Sequence, residues 1–310
     1  MRKIKGDASV RTFFRKKDKN FTSIVVFSKK EKFKNLLLYD AINKILNQNG
    51  VLAPKLYKEK YNKNYIEIED FGNETIFKIM KKKNIKKFLY FKKIILTLNQ
   101  IQLINDRKIK NFKNSFFKIP QYKKKILIEE ANLFCKWYVK KNLPKIKQRK
   151  FIYVFKKIIK KLTLNLKLKN DVFVHRDFHV SNLMLVDKKI GVIDNQDALI
   201  GNRAYDLASL IDDVRLKTPI LLKNKILDFY LRKQKKIIKH EFKNDFEILS
   251  ILRNLKIIGI FTRLAERDRK KKYLKLIPYA WFLINLRINQ NKIFLDLKEL
   301  LNKNFRKKIK

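Results

Sequence analysis

Residues 172–197 read VFVHRDFHVSNLMLVDKKIGVIDNQD, and the alternation of apolar and polar groups in this stretch decides the fold. Apolar runs at 172–174, 183–186 and 190–193 are strand-length and rich in β-branched side chains. The polar groups collect in two turns, one at 175–182 and one that opens at Asp194 directly behind the third run. A hairpin-like unit built this way carries His175, Arg176, Asp177, Asn182 and Asp194 at its turns.

That set matches a loop of the pattern H-R-D-x-x-x-x-N followed by a buried-type strand ending in Asp. Transfer of a γ-phosphoryl group asks little covalent work of a protein. It needs a positioned acceptor hydroxyl and cations that neutralise the phosphates. Asp177 is the expected base for the hydroxyl proton, and Asn182 and Asp194 are the expected ligands of Mg²⁺, a hard cation that prefers oxygen. Asp and Asn are common in turns for local reasons, so one Asp at a strand end would mean nothing. The conjunction of His-Arg-Asp, Asn at the right offset and a second Asp behind a strand favours phosphoryl transfer.

The stretch resembles the aminoglycoside phosphotransferase and choline kinase superfamily, small-molecule relatives of protein kinases. HRDFHVSNLM (175–184), GVIDNQDALIG (191–201) and AYDLASLIDD (204–213) are similar to bacterial kinases that phosphorylate N-acetylmuramate and N-acetylglucosamine at the anomeric hydroxyl. The resemblance implies an α+β, protein-kinase-like, two-lobed fold: a small antiparallel-sheet N-lobe over residues 1–72 and a large, mainly helical C-lobe over 73–310. Within it, His175 and Arg176 support the catalytic loop. Asp197 lies on the acceptor side, and Asn195 stands where those kinases carry a packing Phe.

Composition sets the outer bounds. A chain of 310 residues with 45% hydrophobic content can bury a large core. One cysteine rules out an internal disulfide, and Cys135, inside LFCKWY, reads as a small core residue. The opening MRKIKGDASVRT lacks an apolar run and no uncharged stretch reaches membrane-span length, so a cytoplasmic protein without membrane contact is expected. The net charge of +49 is spread from end to end among many Ile and Asn residues, a pattern that AT-rich codon usage produces. Contact with nucleic acid is therefore expected only as nonspecific, salt-sensitive binding.

Outward from the centre, residues 6–15 (GDASVRTFFR) and 21–27 (FTSIVVF) read as strands. Gly6, Ala8 and Ser9 are small enough for backbone amides to approach phosphate, and Arg11 is either a phosphate contact or a surface charge. The second strand lacks the lysine that protein kinases place there, which leaves Arg11, Lys29 and Lys30 as candidate clamping cations. Residues 32–48 have helical spacing that Gly50 ends, and 51–57 and 64–68 read as strands. The last strand runs into Glu69-Asp70-Phe71-Gly72, where the resemblance puts the inter-lobe hinge and the backbone groups that meet adenine.

From Glu74 the period is helical up to residue 172, with Phe88, Phe91, Ile95 and Leu98 on one face. Glu130, Phe134, Trp137 and Tyr138 share the face of a later helix, which reads either as a core stripe or, by resemblance, as sugar contacts at Glu130 and Trp137. Asp206 sits near a helix start, where an acid caps amides or braces the catalytic loop. Arg253, Arg263 and Arg267 line a helix flank, and Arg263 is either a substrate contact or a partner of nearby acids. The segment from Asp194 to Tyr205 is too short for a protein kinase's activation segment, so a peptide acceptor has no obvious platform.

The sequence thus predicts a kinase that uses ATP and Mg²⁺ on a small-molecule acceptor, with an amino sugar implied by resemblance. An aminoglycoside, choline or other small-alcohol kinase is the rival enzyme reading. A catalytically silent, basic nucleic-acid-binding protein on a kinase-like scaffold is the rival from another class. Oligomeric state is not legible in the sequence.

Overall fold

The computed structural model describes residues 1–4, 11–18, 21–28, 35–234 and 237–308. They form two compact units, one of Met1–Gln121 with Asp171–Ile200, the other of Tyr122–Asn170 with Gly201–Lys310. Residues 172–197 therefore belong to the same unit as the N-terminal sheet.

That sheet is antiparallel, in the order β1 (Arg2–Ile4), β2 (Thr12–Asp18), β3 (Phe21–Phe27), β5 (Tyr65–Glu69), β4 (Leu56–Lys60). The register sets Phe13 opposite Val26 and Ile24 opposite Ile68. Alternation then puts these apolar side chains on one face, where they meet Leu36 and Tyr39 of α1 (Asn35–Gln48). Gly50, at φ +74°, supplies the left-handed residue that stops α1.

The strand expected over 51–57 begins only at Leu56, for an identifiable reason. Asn43 Nδ2 donates to the Pro54 carbonyl, Asn47 Nδ2 donates to the Ala53 carbonyl, and the Ala53 amide donates back to Asn47 Oδ1. The Leu52 carbonyl accepts from the Val192 amide at 2.8 Å. With its backbone groups satisfied by α1 and by Val192, this segment has no need of a sheet ladder.

Thr75 Oγ1 caps α2 (Ile76–Met80), and α3 (Lys87–Leu103) buries Phe91, Ile95 and Leu98 as their spacing predicts. A hairpin of β6 (Lys108–Lys110) and β7 (Phe116–Lys118) then interrupts the region expected to be wholly helical. Asn111 Oδ1 closes its turn by accepting from the Lys113 and Ser115 amides. The unit is completed by β8 (Asn170–Val174), β9 (Leu183–Val186), β10 (Lys189–Val192) and β11 (Leu199–Asn202), whose ends run into the other unit. β9 and β10 pair antiparallel.

The second unit is helical: α4 (Lys124–Leu133), a π-helical segment Phe134–Val139, α5 (Lys140–Asn142), α6 (Lys145–Leu164), α7 (Ala204–Ile211), α8 (Ile220–Arg232), α9 (Lys239–Glu266), α10 (Ile277–Ile288) and α11 (Leu295–Phe305). Phe134, Tyr138, Phe151, Phe155, Trp281 and Phe305 make an aromatic core through which most of these helices meet. Burial among them pushes the Cys135 thiol up to about 12, so Cys135 is a core residue and not a nucleophile. No described helix is long and apolar enough to cross a membrane.

α9 approaches the start of the π-helical segment backbone to backbone. A Cβ on Gly259 would stand 2.3 Å from the Leu133 carbonyl carbon and 2.6 Å from the Phe134 nitrogen, neither of which can rotate away. Gly259→Ala is expected to destabilise the protein by at least the ~1–3 kcal/mol of an overpacked core. A lowered urea midpoint with unchanged m-value checks this; a wild-type midpoint would show that the helices slide apart at no cost.

Candidate active site

β8 delivers the chain into His175, and the β9–β10 hairpin delivers it to Asp194. The two arrivals are tied together by one imidazole. His175 is 1% exposed; its Nδ1 accepts from the Asp177 amide at 3.2 Å, and its Nε2 lies 3.1 Å from the Ile193 carbonyl. With Nδ1 an acceptor, Nε2 carries the proton and donates to Ile193. Asn182 Nδ2 donates to the Asp177 carbonyl at 3.1 Å, and the Asn182 carbonyl accepts from the Ile193 amide at 3.0 Å. Asp177, Asn182 and the residue preceding Asp194 are thus held in one closed set of bonds.

Arg176 and Asp194 adopt φ of +79° and +67°, left-handed values that cost a non-glycine residue roughly 1–3 kcal/mol each. The closed bonding around His175 over-determines these conformations. Such strain clusters at sites where side-chain direction matters more than stability.

The donor chemistry fits a hard divalent cation. The Asn182 amide nitrogen is used on the Asp177 carbonyl, which leaves the side-chain oxygen for a ligand. Asp194 is half-exposed; its Oδ1 accepts from Arg11 and Gln196, and its Oδ2 makes no hydrogen bond among the described residues. No group of three or more His, Cys, Asp or Glu positioned for a metal occurs among the described residues. One carboxylate and one amide leave coordination positions for phosphate oxygens and water, as Mg²⁺ prefers.

Gly6, Ala8, Ser9, Lys29 and Lys30 lie outside the described residues. Arg11 is described, and it lies against the metal-site candidate: Nη2 donates to Asp194 Oδ1 at 2.7 Å and Nη1 to Gln196 Oε1 at 2.8 Å. Asn195, buried completely, donates to Asn43 Oδ1 at 2.8 Å and to the Val192 carbonyl, so this departure from Phe makes a polar link from the turn to α1. Asp197 is exposed and accepts from Gln196 Nε2 at 2.9 Å.

At the other turn, Glu69 Oε2 accepts from the Lys55 amide, while Asp70 accepts from the Gly72 amide and from Arg15 of β2. The Asp70 side chain therefore shapes the turn. Phe71 is buried over β10, where a Cβ on Gly191 would meet its ring carbons at 2.8 and 2.9 Å. Gly191→Ala is expected to displace Phe71 and weaken nucleotide binding, measured by calorimetric titration with ADP. Unchanged affinity would separate Phe71 from the nucleotide site.

The remaining candidates belong to the helical unit. Glu130 is buried; Oε2 accepts from Tyr122 Oη at 2.6 Å and Oε1 pairs with Lys256 at 3.0 Å. Burial, with the charge of Glu130 beside it, raises the Tyr205 hydroxyl above its ordinary value. Phe134 and Tyr138 enter the core while Trp137 stays half-buried, because the widened π turn replaces the α-helical face on which sequence spacing set all four residues. Asp206 is wholly buried in the first turn of α7. Arg267 is exposed and pairs with Asp268, whereas Arg263 is half-buried with an Nε that has no hydrogen-bond partner among the described residues. Sequence reasoning missed Gln196, Asn43 and Lys256. Asn43 had left a signal: a polar residue four places from Tyr39 on the buried face of α1.

Residues 1–236 match the phosphotransferase enzyme family. The chain belongs to that family. The phosphotransferase is 29% identical over 285 residues to an N-acetylmuramate/N-acetylglucosamine kinase of Neisseria meningitidis serogroup B, covering 88% of this chain and 81% of the relative. It is 26% identical over 302 residues to a protein of the same name from Pseudomonas aeruginosa, covering 96% and 86%. Among solved structures, Plasmodium vivax ethanolamine kinase superposes with a TM-score of 0.64 at 15% identity, covering 99% of this chain and 84% of that one. The expected α+β, kinase-like fold and ATP-dependent phosphotransferase activity are borne out for this phosphotransferase.

Proposed function

We propose that this phosphotransferase moves the γ-phosphoryl group of ATP to a hydroxyl of an N-acetylated amino sugar, the anomeric hydroxyl of N-acetylmuramate or N-acetylglucosamine. The observation that carries the phosphotransfer chemistry is the closed bonding around His175, which ties Asp177 and Asn182 to Ile193, the residue before Asp194. The two kinases that this chain resembles over most of its length support the amino-sugar acceptor.

In this reading Asp177 accepts the proton of the acceptor hydroxyl as the hydroxyl oxygen attacks the γ-phosphorus, while the bond from that phosphorus to the β–γ bridging oxygen breaks and ADP leaves. Asn182 Oδ1 and Asp194 would hold Mg²⁺, whose chemistry is to neutralise the charge of the phosphate oxygens. Backbone groups of Glu69–Phe71 receive the adenine, and Gly6, Ala8 and Ser9 cover the phosphates. Residues 1–72 serve as the nucleotide lobe and 73–310 as the acceptor lobe. Glu130, Trp137, Asp197 and Arg263 are the proposed sugar contacts. His175, Arg176 and Asp206 support the loop.

The test is ATP- and Mg²⁺-dependent transfer to N-acetylmuramate, N-acetylglucosamine, choline and kanamycin in parallel. An acid-labile sugar phosphate from the first two is the expected result. Transfer only to choline or kanamycin would keep the mechanism and discard the sugar. Nucleic-acid binding at physiological salt with no transfer at all would favour the silent scaffold.

A further inference from the structure

β3 has no cation on either face: its residues are Phe21, Thr22, Ser23, Ile24, Val25, Val26 and Phe27. Among the described residues, a positive charge beside the Asp194 turn comes from Arg11, immediately before β2. Arg11 is 8% exposed, and its guanidinium lies 5.7 Å from the ring centroids of both Phe13 and Tyr39. The aromatic flanks restrict its movement, and the planar fork addresses a carboxylate and an amide together, which an ammonium cannot do in the same way.

The partners divide Asp194 unequally. Oδ1 accepts from Arg11 at 2.7 Å and from Gln196 Nε2 at 3.2 Å. Gln196 is itself oriented from both ends, accepting from Arg11 at its oxygen and donating to Asp197 Oδ2 at 2.9 Å. One carboxylate oxygen is thus fixed by two donors, and among the described residues Oδ2 is the end left open. We propose that Arg11, with Gln196, is the positioning residue for the metal-binding carboxylate, holding Asp194 by Oδ1 so that Oδ2 is presented to a divalent cation. This rests on the phosphotransfer reading above. It deepens that reading by separating Arg11 from the phosphates: Arg11 acts on nucleotide binding only through Asp194.

The experiment is Mn²⁺ binding, followed by the electron paramagnetic resonance signal of free Mn²⁺, to the protein saturated with ADP. It is paired with calorimetric titration of ADP in excess EDTA. Arg11→Lys and Arg11→Met are expected to weaken Mn²⁺ binding by about 10–100-fold, the usual loss when a residue orienting a metal ligand is removed. Metal-free ADP affinity should stay within a few-fold of wild type. Gln196→Leu should shift Mn²⁺ affinity in the same direction by less, and it carries the test if an Arg11 variant does not fold. Loss of metal-free ADP affinity with unchanged Mn²⁺ affinity would make Arg11 a phosphate contact and overturn the inference. Unchanged Mn²⁺ affinity in both Arg11→Met and Gln196→Leu would overturn it too. Wild-type protein that binds no Mn²⁺ with ADP would bring down the phosphotransfer reading itself, a result the variants are not needed to reach.

Discussion

Asp177→Asn is expected to lower kcat by about 10²–10⁴-fold, the range over which a positioned base contributes, with little change in melting temperature. Two features of the loop support a purely chemical loss. Two bonds that hold this position use the Asp177 backbone: its amide donates to His175 Nδ1 and its carbonyl accepts from Asn182 Nδ2. The substituted amide has nearly the carboxylate's shape, so those bonds persist while the proton acceptor is gone. A variant that keeps kcat within a few-fold of wild type, measured at saturating ATP and acceptor, would remove Asp177 from the base role.

Asp212→Ala is expected to cost about 3–5 kcal/mol of stability, the penalty for leaving buried charges without their partner. Asp212 is 0% exposed, Lys223 1% and Arg287 8%. The carboxylate pairs with Lys223 Nζ at 3.0 Å and with Arg287 Nε at 2.9 Å, and accepts from Ser250 Oγ at 2.6 Å. Its removal strands two cations inside the helical unit. Burial alone would raise the Asp212 carboxyl, but Lys223, Arg287 and Ser250 outweigh it and hold the group well below the ordinary carboxylate range. A depressed folded-state value means that the contribution is fully present above the unfolded carboxyl's titration near ~4 and fades as pH falls towards the folded value. The stability gap between wild type and Asp212→Asn in urea should therefore be constant from pH 6 to 8 and narrow in acid. A gap that widened in acid would contradict the assignment.

How much of this was legible depended on where each segment's backbone bonds go. β3, β5, α1 and the hairpin of β9 and β10 were readable because their apolar periods match the element that satisfies the backbone. Residues 51–55 look like a strand by composition, yet their carbonyls are taken by Asn43, Asn47 and the Val192 amide, which no local pattern announces. β6 and β7 were hidden because alternating Lys and apolar residues over so few positions fit a helix as well. The candidate site followed the same rule. Asp177, Asn182 and Asp194 stand out through local spacing. Arg11 meets Gln196 across 185 residues, and Asn43 meets Asn195 across 152, distances at which sequence spacing carries no information.

β2 also acts as a ruler. Arg11, at its entry, binds the turn that bears Asp194, and Arg15, four residues on and so on the same face, binds Asp70 and the carbonyl of Gly72. At ~3.3 Å per residue the two guanidinium anchors are set roughly 13 Å apart along the strand, between the turn proposed for the adenine and the turn proposed for the metal. Insertion of a single residue between them would turn one anchor to the opposite face and detach it. The length of this strand is therefore less tolerant of change than its residue identities, and an insertion or deletion here should cost more than most substitutions along it.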